Sequence, residues 1–133
     1  MDIFKIARKI FESQPFSQFM QAELVSMGEN EAVIQLAITE NMKQQHGFAH
    51  GGVISYLADN SITFAGGIAL GGDALTSEYK INYVRPATGS HLIARAKAHS
   101  VGKRQAVCIA EIFTVLDGSE KLCAIAQGTV VRN

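Results

Sequence analysis

The residues best suited to chemistry lie in one stretch, Gln44-Gln45-His46-Gly47-Phe48-Ala49-His50-Gly51-Gly52, which runs into a long apolar segment whose only charge is Asp59. Two adjacent glycines at the start of a helix leave backbone N–H groups unpaired and unobstructed, at the positive end of the helix dipole. Such donors suit a carbonyl oxygen that gains negative charge during a reaction, which is an oxyanion hole. A tight turn that merely needs glycine would use the same pair. Asp59 supplies a complementary group. A carboxylate on an apolar helix is costly unless it has partners, and such groups tend to be kept for a role. It can hold and deprotonate a water, or attack an acyl carbon itself; a structural Asp satisfied by a loop amide or an arginine is the alternative.

Spacing constrains how these groups could cooperate. Gly52 and Asp59 are seven residues apart, so on one helix they are separated by about 10 Å along the axis. A nucleophile and an oxyanion donor must both lie about 3 Å from the reacting group. One chain does not readily bring both to the same carbonyl. Two chains related by a two-fold axis, with antiparallel helices, place Asp59 of one opposite the Gly51-Gly52 end of the other.

The elements that must position these groups follow from periodicity. Ile3, Ile6, Ala7, Ile10 and Phe11 recur at helical spacing, predicting an N-terminal helix within residues 1–14 that Pro15 closes. Two strands flanking Met27-Gly28-Glu29-Asn30 read as a hairpin, followed by a polar loop over 39–49. Residues 50–70 are too long for a strand and suit a helix of roughly 30 Å, apolar nearly all round and so buried on nearly all sides. Gly71-Gly72-Asp73 ends it. Strand signals then recur over 76–84, 91–100, 104–116 and 122–131, with turns at Val101-Gly102-Lys103 and Asp117-Gly118-Ser119. One sheet that buries a helix all round must curl about it. The expected class is therefore α+β, a hotdog fold: an antiparallel sheet wrapped around one long central helix, with an additional N-terminal helix, as a single domain over 1–133.

At His50-Gly51-Gly52 followed by Leu57-Ala58-Asp59, the chain resembles the PaaI-like (phenylacetyl-CoA thioesterase-type) hotdog thioesterases, and Tyr83-Val84-Arg85-Pro86-Ala87 fits the same family. The resemblance covers roughly residues 15–133. It implies hydrolysis of acyl-CoA thioesters, with aromatic or short to medium-length acyl groups, by homodimers often paired into tetramers. It implies no metal and no cofactor beyond the coenzyme A of the substrate. Asp59 matches the family's catalytic carboxylate, Gly51 the amide donor to the thioester oxygen, with Gly52 beside it, and His50 the histidine that supports the turn. Many relatives carry Asn six residues before that histidine; here the position is Gln44, while Gly47 still matches. Thr76 stands where relatives often have a hydroxyl near the carboxylate. Lys103 and Arg104 occupy a turn where relatives often place basic residues against the nucleotide phosphates of CoA, and Arg85 is a second candidate.

Composition narrows the alternatives. Twelve basic residues balance twelve acidic ones, so nucleic acid, which needs a concentrated basic surface, is not the expected partner. No segment reads as a signal peptide or membrane span, and the expected location is the cytoplasm. Cys108 and Cys123 fall in strand-like segments and read as reduced core residues. His46, His91 and His99 lack metal-ligand spacing. Two other readings of a hotdog chain compete. Acyl dehydratases and hydratases resemble different patterns, and Asp59-Asn60-Ser61-Ile62-Thr63 lacks the histidine of the hydratases. A non-catalytic acyl-CoA-binding module would normally need an output domain.

Overall fold

The computed structural model describes residues 2–133. The Asp2 carboxylate caps the first helix by accepting the Lys5 N–H at 3.1 Å, and helix α1 spans Ile3–Glu12. Pro15 does not only close the N-terminal helix. Proline loses no bond at a first helical position and its φ is preset for it, so Pro15 opens a second short helix, α2 (Pro15–Phe19). Strands β1 (Glu23–Gly28) and β2 (Glu31–Ala37) form the expected hairpin, turning at Asn30 with φ +71°, a left-handed position that asparagine tolerates. The loop after β2 contains a 3-10 turn, Glu40–Met42. Helix α3 spans Gly51–Leu70 and ends on Gly71 at φ +79°, the usual glycine cap. Strands β3 (Ala74–Tyr83), β4 (His91–Val101), β5 (Gln105–Leu116) and β6 (Ser119–Arg132) complete the chain.

All six strands form one antiparallel sheet in the order β1-β2-β4-β5-β6-β3. Helix α3 packs against β2, β3, β4, β5 and β6, so the sheet curls about it and the fold is the hotdog arrangement. Small side chains permit the embrace. Ala94, Ala96, Ala110, Ala124 and Ala126 line the concave face and are at most 3% exposed, which lets Leu57, Ala58, Ile62 and Ala65 of the helix bury completely. The N-terminal helices cover part of what the sheet leaves open: Phe11 packs its ring 5.5 Å from that of Phe64.

Two expectations change here. By length and mean hydropathy (1.2) α3 does meet the test for a membrane span, contrary to the reading that no segment approaches one; its apolar faces are taken up by the sheet. Nor does burial on nearly all sides extend along its whole surface, because Ser55, Asp59 and Thr63, four residues apart on one ridge, are only half-buried, as are Tyr56, Asn60 and Phe64 beside them.

Helix and sheet approach closely at Gly66, where an added Cβ would sit 2.6 to 3.0 Å from Val130 Cγ2, Cβ and Cγ1. Gly66→Ala gains about 1 kcal/mol of helix propensity but overpacks a rigid branched side chain, at a cost of about 1–3 kcal/mol. A net loss of up to about 2 kcal/mol is expected in denaturant titration. Adding Val130→Ala should recover part of it, giving a favourable coupling in the double-mutant cycle.

Candidate active site

The loop before α3 is held by backbone bonds to distant segments. Ala49 N–H donates to Ala87 at 2.9 Å and His50 N–H to Met42 at 2.7 Å. Gly47 takes φ +88° and its N–H donates to the Gln44 carbonyl at 3.0 Å, closing a turn that favours glycine. The Gln44 side-chain oxygen accepts the His46 N–H. His50 is the N-cap of α3: its Nδ1 accepts the Gly52 N–H at 2.8 Å, and its carbonyl accepts the Val53 N–H at 3.0 Å. Of the two glycine amides, Gly52's is therefore spent on His50. The Gly51 N–H has no hydrogen-bond partner among the described residues. It stands at a cavity of about 460 Å³ lined by Gln44, Phe48, Gly51, Ile54, Tyr83 and Arg85 among others.

Asp59 occupies the half-open ridge of α3. On the side facing β3, Ser55 hydrogen-bonds Tyr79 one turn before it, and Thr63 hydrogen-bonds Thr76 one turn after it. The Thr63 hydroxyl also donates to the Asp59 carbonyl oxygen at 2.8 Å. On the other side, Tyr56 and Asn60 bond Ser17 and Gln14 of the α2 region, with Tyr56 OH and Ser17 Oγ 2.6 Å apart. The Asp59 carboxylate lies between these two clasps and has no hydrogen-bond or ion-pair partner among the described residues. Thr76 thus reaches the Asp59 neighbourhood through Thr63, which the sequence reading passed over; its signal was its place four residues after Asp59.

The basic candidates divide between the two ends of α3. Arg85 lines the cavity at Gly51, with Nη1 3.4 Å from the Leu122 carbonyl. Lys103 and Arg104 are exposed near the other end. There Arg132 donates to the Leu70 carbonyl at 2.6 Å and to the Lys103 carbonyl at 3.1 Å, and Arg104 lines a second cavity of about 410 Å³. His46, His91 and His99 are exposed. Among the described residues, no three His, Cys, Asp or Glu side chains converge as a metal site.

Residues 46–120 match the family model of the thioesterase superfamily, more than half of the chain. The chain belongs to that superfamily. Over 123 residues it is 28% identical to the acyl-coenzyme A thioesterase PaaI of Escherichia coli K12, covering 92% of this chain and 85% of that one. It is 30% identical over 110 residues to a 1,4-dihydroxy-2-naphthoyl-CoA hydrolase of Listeria monocytogenes, covering 81% and 87% respectively. The solved structure of E. coli PaaI superposes with a TM-score of 0.87 over 97% of this chain and 91% of that one, at 28% identity. A thioesterase family protein from Silicibacter pomeroyi superposes at 0.89 with 26% identity, over 94% and 93%. The chain is thus a PaaI-like hotdog thioesterase, an enzyme that hydrolyses thioesters.

Some thioester chemistry runs through cysteine, so the two thiols of this thioesterase need placing. Cys108 and Cys123 are fully buried in β5 and β6, and burial pushes each thiol up to about 11 from an ordinary value of 9.0. Neither can present a thiolate nucleophile near neutral pH. Both should resist an aromatic disulfide reagent in the native state and react promptly once guanidinium unfolds the chain. The same shift sets a pH dependence. The folded value lies above the unfolded one, so the thiol contribution to stability is complete below about pH 9 and is lost as pH rises toward about 11. Denaturation midpoints across that window should fall less steeply for a Cys108→Ala/Cys123→Ala chain.

Proposed function

We propose that this thioesterase hydrolyses acyl-CoA, with the base and the oxyanion donor of each active site coming from different subunits of a homodimer. The observation that carries the reading is a mismatch within one chain. An open amide and an unpartnered carboxylate sit on the same straight helix, eight residues apart, hence about 12 Å along the axis. Both have the chemistry that thioester hydrolysis requires, and neither can reach the other's carbonyl. The supporting feature is β3, a ten-residue strand at one edge of the sheet. Its free edge invites pairing with another strand, and it flanks the Asp59 ridge through Thr76 and Tyr79. A copy joined there by a two-fold axis brings its Gly51 turn toward Asp59.

In this reading the thioester oxygen accepts the Gly51 N–H, and the helix dipole adds to its stabilisation as charge develops. Asp59, as general base, takes a proton from water while the water oxygen bonds to the acyl carbon. The tetrahedral oxyanion then collapses, the C–S bond breaks, and the proton that Asp59 took from water passes to the sulfur, so CoA leaves as its thiol and the carboxylate is restored. Asp59 as direct nucleophile would give the same products through an anhydride that water opens. Thr63 and Thr76 supply hydroxyls beside the carboxylate to hold the water, Gln44 and Gly47 shape the turn, and His50 supports it. No cofactor enters; CoA arrives as part of the substrate. From Asp59 to Leu70 the helix runs about 16 Å, so the extended pantetheine arm is directed toward Lys103 and Arg104 of the chain that supplies Asp59. On the α2 side of α3, Phe16 packs edge to face at 5.2 Å on Tyr56, which lies three residues before Asp59 in the chain. This favours an aromatic acyl group, in keeping with the naphthoyl-CoA hydrolase among the relatives.

Asp59→Ala should lower turnover of an aromatic acyl-CoA by about a hundredfold or more, measured by free-thiol release; wild-type turnover would end the assignment. Gly51→Val should be equally inactive, since its Cβ would already touch the Tyr83 ring at 3.4 Å and its two further methyl groups crowd the open N–H. Reassociating the two inactive proteins should restore up to about half the wild-type rate per heterodimer, because one of its two sites draws both groups from intact halves. Verified heterodimers without recovery would place the catalytic groups within one chain.

Neutralising Lys103 and Arg104 should raise KM for acyl-CoA and flatten its salt dependence while leaving kcat nearly unchanged. Equal salt slopes in mutant and wild type would remove both residues from the phosphate site.

A further inference from the structure

The Gly51 amide is useful as an oxyanion donor only if its direction is fixed before substrate arrives. Glycine is the residue least able to fix itself. The surrounding bonds do this instead. The residue before it is held by the His50 N–H on Met42 at 2.7 Å, and the peptide that carries the Gly51 N–H has its carbonyl occupied by Val53 at 3.0 Å. The next peptide, joining Gly51 to Gly52, is gripped at both ends. Its N–H donates to His50 Nδ1 at 2.8 Å, and its carbonyl accepts the Tyr83 hydroxyl at 3.1 Å. The Tyr83 ring lies over the glycine, with Cζ and the hydroxyl oxygen 3.4 Å from where a Gly51 Cβ would be. Tyr83 is itself anchored: it is the last residue of β3, in register with Ala124, and the next residue, Val84, donates its N–H to Cys123 at 2.9 Å.

We propose that Tyr83 is a positioning residue of the oxyanion hole, its hydroxyl locking the Gly51–Gly52 peptide so that the neighbouring Gly51 N–H stays aimed at the thioester oxygen. The hydroxyl acts on the donor and not on the substrate. The inference rests on the acyl-CoA reading for its catalytic consequence, while the lock itself is a property of the free protein. A side chain that merely walled the cavity would work through its ring. A lock works through its oxygen, and Tyr83→Phe separates the two because it keeps the ring.

The test compares wild type, Tyr83→Phe and Tyr83→Leu in the intact enzyme with an aromatic acyl-CoA such as benzoyl-CoA. For Tyr83→Phe, kcat should fall about three- to tenfold, the range of one neutral hydrogen bond, with KM within about twofold and thermal stability unchanged. Tyr83→Leu should add a rise in KM. Independently of activity, the Gly51 and Gly52 amide resonances should move in Tyr83→Phe more than those of β4, since the ring that would otherwise shift them is retained. Wild-type kcat in Tyr83→Phe, or unmoved glycine amides, overturns the proposal even where acyl-CoA is turned over normally. A wild-type enzyme inert toward all acyl-CoAs would instead overturn the substrate reading, and the amide shifts would still decide whether the lock exists.

Discussion

The geometry of this molecule depends on enclosing one apolar helix of twenty residues within a single sheet. A flat sheet covers one face of a helix and leaves the rest wet. Curling brings five strands against α3, but only if the concave face is lined by side chains small enough to let the helix approach. The alanines of β4, β5 and β6 meet that need, and Gly66 lies against Val130 where even a methyl group has no room. The enclosure also fixes function at one remove. Packed against five strands, the helix sets the distances between its N-terminus, Asp59 and Leu70 by its own rise per residue.

The curled sheet leaves α3 open along the ridge beside its free β3 edge. Ser55, Asp59 and Thr63 occupy that ridge, and their neighbours on β3 are the hydroxyls of Tyr79 and Thr76. Apart from the buried Ser61, the polar groups of the central helix are thus concentrated along and beside the margin of the sheet. An unpaired carboxylate is tolerated because it keeps contact with water. The desolvation argument that singles out Asp59 in the sequence is weaker in the single chain than a fully enclosed helix would make it, and would regain force if another subunit closed over the ridge.

Much of this was legible in the residues. The long run of apolar and small residues closed by Gly71 is too long for a strand and reads as a helix with most of its surface covered, and the Asp117-Gly118 turn marks a later hairpin. Asp59 stood out because it is the sole charge in its segment. Other features were hidden for identifiable reasons. Pro15 carries the same signal whether it stops one helix or starts the next, so α2 was missed. The roles of Thr63 and Tyr83 depend on contacts with residues 13 and 32 positions away, which no local pattern encodes. The placement of β3 beside β6, not beside the strand that follows it, is likewise a property of closure.

The glycine pair shows how a motif can be correct while its two halves do different work. Read as a helix start, Gly51 and Gly52 are equivalent donors. In the fold they are not. The His50 ring turns back over the helix end and its Nδ1 consumes the Gly52 N–H, an arrangement in which a Cβ on residue 52 would lie 3.1 Å from that nitrogen. Gly52 therefore eases the approach of the capping ring, and as the acceptor the ring carries its proton on Nε2. With Gly52 satisfied by the cap and Val53 by the His50 carbonyl, the first turn has one donor left to offer, at Gly51. A serine or aspartate cap, free to reach the second or third helical N–H, would not impose that choice. The histidine turns a diffuse positive helix end into a single directed N–H, and glycine at position 52 gives its ring the room to do so.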